Sequence, residues 1–155
     1  MKNRILGINC TSDAVFIAVT EGAGEDFNIV STDRLTFSIE GADGIRALHH
    51  AIRTVLSGAK KEGGNRIAVN KCFSGSRGSS VDAIKAEAIM ELVAVSELAL
   101  DIERVAPHGF RSLLKCDPGQ EWRPRAKQFF NPNGEIKHWS RTDGAVCAAY
   151  NVATL

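Results

Sequence analysis

The stretch RIAVNKCFSGSRGSSVDAIKAEAIMELVAV, residues 66–95, decides the fold. Its apolar run Ile67-Ala68-Val69 is too short for a helix and fits a buried strand. The run stops at the polar pair Asn70-Lys71, and a glycine- and serine-rich loop, FSGSRGSS, follows. Gly75 and Gly78 give that loop backbone freedom. An alanine-rich helix begins near Val81; Ser80 is placed to cap it, and Asp82 suits its positive end. The unit is therefore strand, polar loop, helix. In open α/β sheets, ligand crevices lie outside the carboxyl ends of the strands, so a site is expected near Asn70, Lys71 and the loop.

Outward from this unit, bulk properties narrow the class. The chain has 155 residues, 44% apolar and 24% charged, which is the balance of one globular domain, taken here as residues 1–155. A net charge of +1 gives no overall pull toward nucleic acid or membrane, although a local basic patch remains compatible with it. No apolar run reaches the length of a membrane span, and Ile5 to Ile8 is too short for the core of a signal peptide. Cys10, Cys72, Cys116 and Cys147 are widely spaced and form no CxxC pair. They are read as free thiols in a reducing, cytoplasmic compartment.

The chain before this stretch reads as three strands: Arg4 to Cys10, Ala14 to Glu21, and Phe27 to Phe37. Thr11-Ser12-Asp13 and Gly22-Ala23-Gly24 are turns tight enough to imply an antiparallel meander. The glycines at 41 and 44 break the pattern, and a helical period starts at Ile45, with Leu48, Ile52, Val55 and Leu56 on one face. His49 and His50 are adjacent, so they point about 100° apart on a helix and are read as surface or core-edge residues, not as a metal pair.

In the helix after the loop, Ile84, Ala88, Ile89, Leu92 and Val95 are predicted to form the buried side. Asp101 to Val105 is a fifth strand. Pro107 opens the helical segment HGFRSLLK, which ends at Asp117-Pro118-Gly119. A short helix is expected at Pro124 to Phe130, and Thr142 is placed to cap a last helix from Asp143 to Ala153. Three antiparallel strands followed by helix–strand units give a mixed five-stranded sheet flanked by helices.

Two basic groups stand out. Lys71, Arg77 and Lys85 lie in and after the glycine-rich loop. Arg123, Arg125, Lys127, Lys137 and Arg141 are interleaved with Trp122 and Trp139. Such a pattern grips phosphates and stacks on bases if the two groups share a face; otherwise it is surface charge, with tryptophans anchoring a loop. The loop is not a Walker A motif, because no GK[ST] closes it. No GxSxG elbow occurs, and the spacing of Cys10, His49 and His138 gives no thiol nucleophile.

This order of elements is that of the ribonuclease H-like fold. GINCTSDAVFIAV is similar to the glycine-containing first hairpin of that superfamily. IAVNKCFSGSRG…KAEAIMELV resembles the fourth strand and following helix of RuvC-type Holliday junction resolvases. APHGFRSLLK and TDGAVCAAYNVA look like their fifth-strand exit and closing helix. The resemblance covers most of the chain in order. It implies a site where carboxylates from the first strand, the fourth strand and the last helix hold two divalent metals, usually Mg²⁺, for phosphodiester hydrolysis. The first hairpin is also similar to that of sugar-kinase and actin-like ATPases, but those use two such domains, and one is read here.

The chain departs from the resolvase pattern at the acids. Asn9 stands where the family carries aspartate, Asn70 where it carries glutamate, and Ser140 where a second helix acid is found; Asp143 alone matches. An amide oxygen can ligate a metal but brings no charge. Glu87, one turn into the helix after the loop, is the acid available to build a rearranged site with Asp143. Asp82 and Asp13 are read as a helix-end charge and a turn residue, and Asp143 also has a structural reading as a first-turn carboxylate.

Three expectations follow from the resemblance and these departures. The first is a nucleic-acid-associated protein with a degenerate nuclease centre, its partners branched or single-stranded nucleic acid. The second is an active endonuclease dependent on Mg²⁺ or Mn²⁺, using Asp143 with Glu87, Asn70 and Asn9. The third is a non-catalytic module that forms a homodimer through an exposed helix.

Overall fold

A computed structural model describes residues 3–72 and 80–153. Strands β1 (Arg4–Cys10), β2 (Ala14–Glu21) and β3 (Asn28–Thr36) form the antiparallel meander. Helix α1 (Gly41–Lys61) leads to β4 (Gly64–Asn70), which pairs parallel to β1. Helix α2 (Val81–Leu92) continues as a π-helical turn, Val93–Glu97, and leads to β5 (Asp101–Val105), parallel to β4. A 3-10 turn at Pro107–Gly109 precedes α3 (Phe110–Leu113), and α4 (Trp122–Phe130) and α5 (Trp139–Ala153) complete the order. The sheet order is β3-β2-β1-β4-β5. The predicted mixed five-stranded sheet with flanking helices is thus observed. No helix among the described residues is long and apolar enough to cross a membrane.

The strands alternate between two cores. Leu6, Ile8 and Cys10 of β1, with Ile67 and Val69 of β4, face α1 and α2 and pack with Leu48, Ile52, Leu56 and Met90. Ile5 of β1 and Ala68 of β4 face the other way and meet Cys147, Ala148, Ala149 and Val152 of α5. Small residues on both sides let α5 lie close on the sheet. At Gly7 the approach is so tight that a Cβ would sit 1.9 Å from the Ala145 carbonyl oxygen.

Several local expectations are corrected. Helix α1 begins at Gly41, a turn before the helical period expected from Ile45: a Cβ at Gly44 would lie 2.1 Å from the Ser38 carbonyl oxygen, so glycine is what lets the helix start there. The segment after Pro107 is helical as expected, but as a 3-10 turn over Pro107–Gly109 that runs into α3 and ends at Leu113, two residues before the end of HGFRSLLK. In α2 the buried residues are Ala83, Ala86, Glu87 and Met90, while Ala88, Leu92 and Val95 are exposed. Apolar residues occur on every side of the helix, so its periodicity does not single out one face, and the small residues determine which side can approach the sheet.

Helix α5 begins at Trp139, not at Asp143. His138, at φ 55, turns the chain, and its carbonyl accepts from the amides of Arg141 and Thr142. Trp139 packs into the core between sheet and helix, which draws the helix start back by a turn. Asp143 is therefore in the second turn, where the helix-end field no longer explains a carboxylate.

The cap at α2 is as expected: the Ala83 amide donates to Ser80 Oγ at 3.1 Å. Ser80→Ala is expected to lower stability by about 1 kcal/mol in a denaturant titration, with an unchanged slope.

Candidate nucleic-acid interface

The site grows from the register of β1 and β4. Asn9 pairs with Asn70 across the two parallel strands, at the last position of β4 and the last but one of β1. Both side chains point to the face covered by α5. Asn70 Nδ2 donates to Asn9 Oδ1 at 3.2 Å, and Asn9 Nδ2 donates to the Arg141 carbonyl at 2.7 Å. Gly144 of α5 lies against this pair: a Cβ there would meet Asn70 Nδ2 at 2.5 Å. Gly144→Ala is expected to push the two amides off α5 and cost about 1–3 kcal/mol, read as a lowered melting temperature.

Asp143 sits beside Gly144 and is 2% exposed. Its Oδ1 accepts from the Gly144 amide at 2.7 Å. Arg123 Nη1, from α4, donates to Oδ1 at 3.0 Å and Oδ2 at 2.9 Å, and also to the Ser140 carbonyl at 2.9 Å. The Arg123 guanidinium lies over the Trp122 ring, 4.5 Å from its centroid, and Trp122 meets Phe110 edge-on. Burial raises the Asp143 carboxyl from 3.8 to about 6, against the opposing pull of Arg123, the Gly144 amide and, last, Arg141. The guanidinium thus holds the carboxyl and favours its charged form.

A cleft of about 580 Å³ opens over this group, lined by Asn9, Thr11, Asn70, Lys71, Arg123 and Arg141 among others. It lies outside the carboxyl ends of β1 and β4, where the polar loop was predicted to place a site. Among the described residues three cations, Lys71, Arg123 and Arg141, and one acid, Asp13, line it. A groove of similar size between β3 and residues 135–138 is lined by balanced charges, Asp33 and Glu135 against Arg34 and Lys137, with no excess of cations among the described residues.

The other candidate residues lie elsewhere. Glu87 is on the opposite side of the sheet, facing the α1–α2 core. It accepts from the Cys72 amide and from Arg104 Nη2, both at 3.1 Å, while Arg104 Nε pairs with Glu91. Burial is the main cause that raises its carboxyl. It ties the exit of β4 to β5 and is not brought to Asp143. Lys85 is exposed on α2 and does not line the cleft. Arg125 and Lys127 also do not line it; Arg125 Nε turns back to the Leu114 carbonyl. Arg77 is outside the described residues. His49 pairs with Glu97 at 2.8 Å on the surface.

The residue that sequence reading did not single out is Arg123. It appears there only as one basic residue among several, and nothing in a separation of 20 residues from Asp143 marks a pair.

The five-stranded sheet and its flanking helices are also the fold of solved resolvases. Thermus thermophilus RuvC superposes with a TM-score of 0.71 over 95% of this chain and 91% of its own, at 15% identity. This chain has the RuvC fold. The T. thermophilus RuvC structure in complex with a Holliday junction substrate matches with a TM-score of 0.67, over 95% and 90% of the two chains, at 12% identity. No protein-family model matches the chain, and no curated protein is similar to it in sequence. The RuvC-like frame is thus a finding of shape, while the side chains in the cleft are those described above.

Proposed function

We propose that this protein is a nucleic-acid-associated, RuvC-like module, one domain over residues 1–155, whose nuclease centre is degenerate. The observation that carries the reading is the Arg123–Asp143 pair beside the Asn9–Asn70 amides. A hard divalent cation such as Mg²⁺ or Mn²⁺ takes several oxygen ligands, with carboxylates supplying the charge. Among the described residues the carboxylate beside the two amides is Asp143, and both its oxygens face a guanidinium, while Asp13 is at the rim of the cleft. Asn9 Oδ1 is engaged by Asn70. Among the described residues no three carboxylate, thiol or imidazole groups gather. The donor set does not fit the metal pair implied by the resemblance, so no hydrolytic step is derived from it.

Association with nucleic acid is supported by the basic cleft and by the RuvC fold, whose T. thermophilus representative is solved with a Holliday junction. The test is to mix the protein with four-way-junction and single-stranded DNA in Mg²⁺ or Mn²⁺. The expected result is binding without cleavage, with affinity falling linearly on a log–log plot against salt. Cleavage in Mn²⁺ that Asp143→Asn abolishes would show the active endonuclease instead, and a flat salt response would remove the phosphate contacts.

A homodimer is favoured by a separate observation. Val81, Leu92 and Val95 are 66%, 58% and 51% exposed along α2 and its π-helical extension. Large apolar side chains grouped on one helix are an interaction surface in many proteins. Mass measurement in solution, with Leu92→Asp as the disrupting variant, decides it: a dimer that Leu92→Asp splits supports this face, and a monomer at every concentration rejects it.

A further inference from the structure

The geometry points to a phosphate-oxyanion site in the cleft that works without a divalent metal, with Arg123 as its anchored cation and Lys71 and Arg141 at its rim. The inference rests on the nucleic-acid reading for the source of the phosphate, and it adds how the phosphate is held.

Arg123 is fixed on three sides. One nitrogen, Nη1, satisfies Asp143 and the Ser140 carbonyl, and the Trp122 ring lies under the guanidinium plane. Nε and Nη2 have no hydrogen bond among the described residues, and the side chain is 51% exposed. A guanidinium presents a planar fork suited to two phosphate oxygens, and one already held in place loses little freedom on binding. Asp143 does not compete with the ligand, because it is buried behind the guanidinium it orients. It acts as a positioning residue for Arg123.

The rim cations are also set on fixed backbone. The Lys71 amide donates to the Val105 carbonyl at 2.8 Å, directly after β4. The Arg141 carbonyl accepts from Asn9 at 2.7 Å. Neither side chain pairs with a carboxylate among the described residues. The acid facing them in the lining is Asp13, whose Oδ1 accepts from Thr11 Oγ1. Among the described residues the three cations exceed Asp13 and the buried Asp143 by one, and that excess favours an anion. The volume, about 580 Å³, is within the roughly 300–1,000 Å³ of small-molecule sites. It accommodates a phosphate together with its sugar. In a cleft where amides replace charged oxygens, the cation that meets the phosphate is supplied by the chain itself.

The experiment measures binding of labelled single-stranded and four-way-junction DNA in EDTA and in Mg²⁺, for wild type and for Arg123→Met/Asp143→Asn. The double variant removes the cation while leaving no buried charge unpaired, and its melting temperature checks that it folds. In parallel, thermal stability is followed with inorganic phosphate and with a nucleoside 5′-monophosphate. The inference expects binding in EDTA at least as tight as in Mg²⁺ at matched ionic strength. It expects about a tenfold loss in the double variant, the usual scale for a hydrogen bond to a charged group, and a salt slope shallower by about one. DNA binding that requires Mg²⁺, or that the double variant retains in full, overturns the inference and leaves the nucleic-acid reading standing. If DNA is not bound but phosphate or the monophosphate stabilises wild type and not the variant, that reading falls and the site stands, with a free nucleotide or phosphate as its source. If none of the probes acts on wild type, both fall.

Discussion

Gly7→Ala is expected to destabilise the protein by at least about 3 kcal/mol, at or beyond the upper end for overpacked cores. Gly7 is in the middle of β1, on the face under α5. A Cβ there would lie 1.9 Å from the Ala145 carbonyl oxygen, 2.7 Å from its carbonyl carbon and 3.1 Å from Ala149 Cβ. The first two are backbone atoms, so no side-chain rotation relieves the clash. The helix must lift off the sheet, and the packing of Cys147, Ala148, Ala149 and Val152 against Ile5 and Ala68 lifts with it. Because Gly144 and Asp143 ride on the same helix, the Asn9–Asn70 pair loses its cover as well. Chemical denaturation of wild type and variant measures the loss. A loss below about 1 kcal/mol, the ordinary scale of a single substitution, would mean that α5 does not lie as close as described.

Arg123→Met is expected to cost about 3 kcal/mol at pH 8, the lower end for breaking a buried ion pair, since the arginine is half exposed. The effect should depend on pH in one direction. Burial already raises the Asp143 carboxyl from 3.8 to about 6. For an acid raised in the folded state, the contribution favours folding at low pH and is lost as pH rises through about 6. The shift from 3.8 to about 6 corresponds to roughly 3 kcal/mol. Removing Arg123 takes away a group that lowers this value, so the loss deepens and extends to higher pH. The gap between wild type and variant should be small near pH 4, where the carboxyl is protonated in the folded state of both. It should open as pH passes about 6. Adding Asp143→Asn should close it at pH 8, and that recovery is the signature of the pair. A gap of equal size at pH 4 and pH 8 would mean that the arginine stabilises through its packing on Trp122 and not through the carboxylate.

Much of the frame was legible because local signals agreed with the tertiary solution. The turns at Thr11 to Asp13 and around Gly22 fixed the meander, and the short apolar run before Asn70 fixed β4. The convergence of Asn9 with Asn70 then follows from parallel register. What could not be read depends on long-range contact. The start of α5 is moved by the core packing of Trp139, so a cap inferred from Thr142 misplaced Asp143 in its helix. Helix α2 carries apolar residues on every side, and only the closeness of the sheet selects Ala83 and Ala86 over Leu92. Glu87 looked available to Asp143 in one dimension, yet the sheet separates them. The Arg123–Asp143 pair joins two helices through space, and no local pattern announces it. The basic cluster was visible as composition, but its division between cleft and outer surface was not: Arg123 and Arg141 line the cleft, while Arg125 turns back to Leu114.

The central claim is that a guanidinium and two amides stand where this fold could otherwise gather charge for a divalent ion. The direct measurement is the melting temperature of the wild-type protein, without nucleic acid, across a titration of Mg²⁺ and of Mn²⁺. A ligand that binds the native state stabilises it by mass action. The account predicts no saturable rise with either ion. A saturable rise that Asp143→Asn removes would contradict it.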